Sequence, residues 1–387
     1  MDFALTESQE LIKKEVGALA RTFSLDYWLD KDDKAEYPHE FVRAFADNGW
    51  LGIMIPEEYG GAGLGVTEAS LMLHEICASG AGTSGASPIH FYVFPPTPII
   101  KYGAAGMKQK YLPRIAAGDI VMAFGVTEPN AGTDTSRIQT RAVKRGNRWI
   151  VNGRKVWTTN AQHANKILLL ARTDDRDPQK PLKGMTLFFA DLDRKAVTVR
   201  LIHKLGRAAV DSNEIFIENL EVPDEDVVGA VGEGFYHLLD SLNPERIVVG
   251  IEAVGIGRAA LERAVQYAKE RIVFDRPIGK NQAIAHPLAH AAAQLDAAEV
   301  MCLKAAWLFD HGRPCGREAN TAKLLAAEAG FDACDAALQT FGGFGYAKEF
   351  YVERLWREIR LYKIAPVSQQ MALNYLAEHV LGLPRSY

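Results

Sequence analysis

The stretch Ala123-Phe-Gly-Val-Thr-Glu-Pro-Asn-Ala-Gly-Thr-Asp134 runs from a short apolar segment into a hydroxyl, a carboxylate, a proline and a small polar turn at Gly132. Such a segment ends a strand and turns backbone N–H groups, with the hydroxyls of Thr127 and Thr133, toward a polar and partly anionic ligand. An ordinary strand-to-loop exit has the same pattern. Lys155-Val-Trp-Thr-Thr-Asn160 adds an aromatic and two hydroxyls. In Gln339-Thr-Phe-Gly-Gly-Phe-Gly-Tyr346 paired glycines let a diphosphate approach a backbone that a Cβ would shield, or simply end a helix. In Asn243-Pro-Glu-Arg246 a carboxylate and a guanidinium follow a proline, a combination ordinary for a solvated pair at a helix start.

Three regions position these segments. Residues 1–119 read as helical: Thr6 is a suitable N-cap, and Pro38 suits a first helical turn. Tyr59-Gly60-Gly61-Ala62-Gly63 lacks the spacing of a dinucleotide fingerprint and reads as a turn between helices. Residues 120–229 change to the period of strands. Lys166–Ala171, Thr186–Ala190 and Glu214–Glu218 are short strand-like runs, and Asn152-Gly153 predicts a hairpin between Trp149–Val151 and Lys155–Trp157. Residues 230–387 return to helix: Leu261, Val265, Ala268 and Ile272 step along one face, and Ala291–Ala306 and Thr321–Leu338 continue the pattern. The fold expected is mixed α and β, with helices, a β-barrel-like or sandwich domain, then a helical bundle.

Composition narrows the function classes. With 48 acidic and 44 basic residues in 387, no global field points to nucleic acid or to a membrane surface, so an anionic ligand must be held by local groups. The first residues, Met1-Asp-Phe-Ala-Leu-Thr-Glu-Ser8, have no basic start with an apolar core, and no apolar run approaches a membrane span. Cys77, Cys302, Cys315 and Cys334 form no CxxC pair, which fits a reducing cytoplasm. His286 and His290 are spaced by four, but no glutamate follows His286, so no metal site is expected.

Taken together, the segments around Thr127, Trp157 and Gly342 resemble the flavin-binding signatures of the acyl-CoA dehydrogenase family, in order and spacing and over nearly the whole chain. The resemblance implies FAD, with Phe124, Val126 and Thr127 against one side of the ring and Thr133 reaching the pyrophosphate. It implies a second contact from Trp157, Thr158 and Thr159, with Thr159 a donor toward the flavin N5. Arg271, Phe274, Gln282, Gln339, Gly342 and Gly343 match positions that, in the family, come from a neighbouring subunit. A homotetramer, or at least a homodimer, is implied. Ser368 and Gln370 match further cofactor positions, and Gly345, Glu349, Arg354 and Glu358 follow at family spacing.

Two departures matter. Arg137 stands where the first signature has a small residue, and either reaches a phosphate or faces water. Many relatives carry their base in a Tyr-Glu-Gly-Thr segment, where this chain has Ala365-Pro-Val-Ser368. Pro366 cannot accept a proton and has no N–H to polarise a thioester carbonyl; losing such a donor commonly costs about 2.7–4 kcal/mol. A second family solution places the glutamate on an earlier helix before an arginine, which selects Glu245 as base and Arg246 as its neighbour. The resemblance implies α,β-dehydrogenation of an acyl-CoA to a trans-2-enoyl-CoA, with electrons passed to an electron-transfer flavoprotein. Ala365 and Pro366 would border the substrate, the small Ala365 leaving room for a branched or cyclic acyl group. A same-fold reductase, desulfinase or flavin monooxygenase, and a non-catalytic assembly protein, are the other readings.

Overall fold

The computed structural model describes residues 4–386, so Met1 to Phe3 of the stretch read for a leader lie outside the described residues. Seven helices come first: α1 (Glu7–Arg21), α2 (Leu25–Lys34), α3 (His39–Asp47), α4 (Val66–Ile76), α5 (Gly82–His90), α6 (Thr97–Tyr102) and α7 (Ala105–Ala116). Thr6 caps α1 in a capping box with Gln9, the reciprocal arrangement that its hydroxyl and the Gln9 amide permit.

The strands follow: β1 (Met122–Gly125), β2 (Arg141–Arg145), β3 (Arg148–Thr159), β4 (Lys166–Arg172), β5 (Met185–Asp191), β6 (Val197–Leu201), β7 (Ser212–Pro223) and β8 (Val227–Val228). Their order is β6-β7-β3-β2-β4-β5-β8, with β1 parallel to β4 along the part of its edge that β2 leaves free. All seven residues of β4 are buried, because both faces are covered. Ile167 and Leu169 pack into the β-domain core with Ala123, Val151 and Phe188, while Leu168 and Leu170 join the helical core.

Asn152-Gly153 is not a hairpin. β3 runs straight through it, and the turn lies earlier, at Gly146 (φ 61°), where Arg145 pairs with Arg148. Gly153 instead marks a register shift against β7, where a Cβ would collide with Thr140 of the crossing loop. Its sequence signature belonged to a close approach, not a reversal.

Three long helices, α8 (Gly234–Glu270), α9 (Gln282–Asp310) and α10 (Gly316–Phe341), pack together with the shorter α11 (Val352–Ile359) and α12 (Gln369–Tyr375) as a C-terminal bundle. Leu261 and Ala268 are buried on α8, but Ile272 lies beyond its end in a two-residue strand and is 55% exposed. The apolar step continued past the point where the chain leaves the helix at Arg271.

Candidate active site

Two of the sequence motifs meet at the edge of the β-domain. β1 delivers Phe124, and the chain then turns through Val126 and Thr127 alongside β3, where the Thr127 carbonyl accepts from Val156 N–H at 2.9 Å. A buried ion pair fixes this junction. Lys155 Nζ lies 2.8 Å from Glu128 Oε1 and 3.0 Å from the Val126 carbonyl, and Glu128 also accepts from the Gln139 and Thr140 N–H groups at 2.6 and 2.9 Å. Burial alone would raise the Glu128 carboxyl, but Lys155 and these donors outweigh it and hold it below its usual range. Both residues lie inside quoted motifs, yet the sequence reading assigned them no role.

Past Lys155 the register of β3 against β7 shifts again, and Trp157 takes a φ of 61°. Trp157 is therefore displayed, 58% exposed, instead of filling the core. Thr158 is buried and, among the described residues, its Oγ1 has no partner, nor has either side-chain polar atom of Asn160. Buried polar groups of this kind are costly unless something hydrogen-bonds them. Thr159 Oγ1 accepts from Arg207 Nη2 at 3.3 Å; Arg207 also donates to Ser87 and Ser212, both at 3.0 Å. Thr133 is exposed on the following turn, and Arg137 pairs with Asp134 at 2.8 Å at the surface.

Glu245 and Arg246 lie well inside α8, not at its start. Pro244 cannot donate to the Asp240 carbonyl, a local break of the helical ladder just before the carboxylate. Glu245 is 8% exposed and makes no hydrogen bond with the described residues. Burial pushes its carboxyl up from 4.5 to about 7, while His90 and Arg246 pull the other way. Arg246 Nη1 donates to Asn243 Oδ1 at 3.2 Å, and burial holds its guanidinium below its ordinary value.

The aromatic side chains between these elements are continuous. Phe94 meets Phe124 edge-on at 5.1 Å and His90 at 5.0 Å, and Phe91 packs on Phe94 at 5.8 Å. The helix that ends at His90, α5, is anchored by the C-terminal region. Glu358 accepts from Thr83 N–H at 2.6 Å and from the Thr83 and Ser84 hydroxyls at 2.8 and 2.7 Å, and Arg354 clamps Glu358 at 2.8 Å. Arg354 and Glu358, noted only for their spacing, thus orient the helix bearing His90.

The remaining motif residues stand elsewhere. Arg271 closes α8, Gln282 opens α9, Phe274 is 92% exposed, and Gln339 is exposed near the end of α10. Arg271, Gly342 and Gly343 line one groove of about 470 Å³ with Tyr267 and Phe344. A Cβ on Gly342 or Gly343 would meet nothing within 4 Å, so this backbone edge is open to a ligand. Ser368 caps α12 and Gln370 is exposed. Pro366 is exposed and without N–H, while the Ile364 and Ala365 N–H groups are used on the Leu361 carbonyl at 2.8 and 2.9 Å.

The unpaired Thr158 hydroxyl, the unpaired Asn160 amide and the open glycine edge fit a large polar cofactor with a diphosphate, as FAD is. Fold and site define a flavin-dependent oxidoreductase. Three family profiles match the chain: Acyl-CoA dehydrogenase, N-terminal domain, over residues 6–119; middle domain, over 123–220; and C-terminal domain, over 232–381. The chain is similar to "Acyl-CoA dehydrogenase fadE12" of Mycobacterium bovis, 38% identical over 100% of this chain and 99% of the relative. It is 37% identical to a "3-(aryl)acrylate reductase" of Clostridium sporogenes over 97% of this chain and 99% of that one. The solved butyryl-CoA dehydrogenase of Megasphaera elsdenii superposes with a TM-score of 0.93 at 30% identity, covering 98% of this chain and 100% of the other. The chain belongs to the acyl-CoA dehydrogenase family: it is an FAD-dependent oxidoreductase acting on acyl-CoA. No described helix is long and apolar enough to cross a membrane.

Proposed function

We propose that the protein catalyses α,β-dehydrogenation of an acyl-CoA thioester to a trans-2-enoyl-CoA, with Glu245 removing the α-proton. The observation that carries this reading is a buried carboxylate with no hydrogen-bond partner among the described residues and a pKa pushed up by burial to about 7. A base works best near the pH at which it operates, and this value suits neutral conditions. Pro366 leaves the alternative family position without a carboxylate.

FAD supplies the acceptor for the β-hydride when bound. Phe124, Val126, Thr127, Trp157, Thr158 and Thr159 would hold the ring, with Thr133, Ser368 and Gln370 as further contacts. The buried Glu128–Lys155 pair keeps the first two strands of this cradle in register. The aromatic run Phe91–Phe94–Phe124 continues to His90, which faces Glu245, and with the small Ala365 it supports a branched or ring-bearing acyl group.

Arg271, Phe274, Gln282, Gln339, Gly342 and Gly343 complete the cofactor site of a neighbouring subunit. Arg271 follows Glu245 by 26 residues of α8, roughly 39 Å at 1.5 Å per residue, too far to serve the same site. Ile272, Phe274 and Tyr346 are 55%, 92% and 85% exposed around that groove, an apolar surface that a second copy would cover. A homotetramer that passes electrons to an electron-transfer flavoprotein is the assembly this reading implies.

A second reading runs the chemistry backwards, as an enoyl reductase in which Glu245 delivers a proton to the α-carbon. A carboxyl that titrates near 7 serves either direction, and a relative 37% identical is named a reductase. Anaerobic titration with paired acyl and 2-enoyl thioesters of straight, branched and aromatic chains separates the two. Bleaching of the oxidised flavin by a saturated thioester supports dehydrogenation. Bleaching by none of them, with reoxidation of reduced enzyme by an enoyl thioester, assigns the reductase.

A further inference from the structure

Beside Glu245 lies a group of buried titratable side chains that the proposed reaction does not use. Glu252 follows Glu245 by seven residues on α8, two turns, and so shares its face. Glu252 Oε1 lies 2.8 Å from His90 Nδ1, and Tyr362 donates to Oε2 at 2.5 Å, so both carboxylate oxygens are engaged. An ionised carboxylate only accepts, so Nδ1 carries a proton. Among the described residues His90 Nε2 has no hydrogen-bond partner.

The charges facing these groups are few and come from three elements. Glu245 meets His90 from α5, and Arg246 and Glu252 from α8. His90 meets Glu252 and Glu245, with Arg207, from the connection between β6 and β7, on its other side. Burial disfavours the imidazolium, but Glu252, by charge and by hydrogen bond, and Glu245 outweigh burial and Arg207, so its affinity for protons rises. With Glu245 protonated, Glu252, His90, Arg207 and Arg246 together carry two net positive charges. Loss of the Glu245 proton reduces this to one.

We propose that His90, locked as an imidazolium by Glu252 and Tyr362, is a positioning residue whose charge sets the pH at which Glu245 becomes a base. The proposal rests on the reading of Glu245 as the proton acceptor. Without the cation, burial and the like charge of Glu252 would keep Glu245 protonated to higher pH.

The test is the pH profile of anaerobic flavin reduction by saturating acyl-CoA, from about pH 5 to about pH 9, in FAD-loaded wild type, His90→Gln, His90→Lys and Glu245→Gln. His90→Gln should move the inflection upward by roughly one pH unit, the lower end for a nearby opposite charge. His90→Lys keeps a cation and should leave the inflection near the wild-type position. A purely structural role would lower the plateau without moving the inflection, and an unmoved inflection in His90→Gln overturns the proposal. Should Glu245→Gln reduce its flavin normally, the underlying base assignment fails instead. A measurement on the unmutated enzyme guards against misfolded variants. In ¹⁵N-histidine spectra of the holoenzyme, one solvent-shielded imidazole should remain an imidazolium above pH 7. If every shielded histidine is neutral there, the proposal falls.

Discussion

Replacing Glu245 by glutamine should stabilise the fold at alkaline pH while removing the base. The carboxyl is raised by burial from 4.5 to about 7, a difference (7 − 4.5) of about 2.5 units, or roughly 3 kcal/mol at about 1.36 kcal/mol per unit. The sign follows from linkage. The folded-state value lies above the unfolded one, so the native protein binds more protons between about 4.5 and about 7. Stability from this group is greatest below that window, falls as pH rises through it, and stays lower above it. Glutamine does not titrate, so the variant keeps what the wild type loses. Unfolding of the FAD-loaded proteins at one protein concentration, at pH 5 and pH 8, reads the effect. The gap between variant and wild type should grow by about 2–3 kcal/mol between the two conditions. Titrating groups that do not face Glu245 are common to both proteins and cancel in the difference. A gap that is independent of pH, or that shrinks at pH 8, would refute the claim that Glu245 is held ionised in a dry site at a cost.

Lys155→Met leaves the Glu128 carboxylate buried without its cation, and should lower stability by about 3–5 kcal/mol and accelerate FAD loss; adding Glu128→Gln should restore much of both. Fluorescence of released FAD against denaturant checks it, and a single variant within about 1 kcal/mol of wild type contradicts it. Thr158→Val removes a buried hydroxyl that has no partner among the described residues, so the apoprotein should be no less stable while FAD affinity falls roughly tenfold, about 1.4 kcal/mol. Equal FAD affinity in titration calorimetry would place that hydroxyl away from the cofactor. Arg271→Glu should weaken both assembly and FAD retention, read by sedimentation with absorbance in the flavin band; a flavin-replete monomer would count against a shared site.

The order of elements was legible in the sequence because the period changes near Ile120 and again near Ala230. Lys166–Ala171 announced itself as a strand by the apolar run Ile167–Ala171, which here reflects burial on both faces. Asn152-Gly153 misled because a glycine that admits a crossing loop looks the same as one that turns the chain. For the site, local motifs pointed to Phe124, Thr158 and Gly342, since a cofactor reads backbone and short polar groups that lie close together in sequence. His90, Glu252 and Tyr362 were invisible for the opposite reason. His90 and Glu252 are 162 residues apart, and only packing of α5 against α8 makes them neighbours. Arg207 is similar: its role depends on a left-handed backbone (φ 59°) that aims a buried guanidinium at Thr159.

The most direct measurement is the anaerobic, single-turnover rate of flavin bleaching by the most reactive acyl-CoA, compared between wild type and Glu245→Gln with FAD fully bound in both. Glutamine preserves shape and removes basicity, so substrate should still bind while the rate falls by at least about 10²-fold, the lower end for general-base catalysis. Pro366→Glu in the same background restores a carboxylate where many relatives have one, and should recover part of the rate. A Glu245→Gln enzyme that bleaches its flavin at nearly the wild-type rate would contradict the assignment of Glu245 as the base.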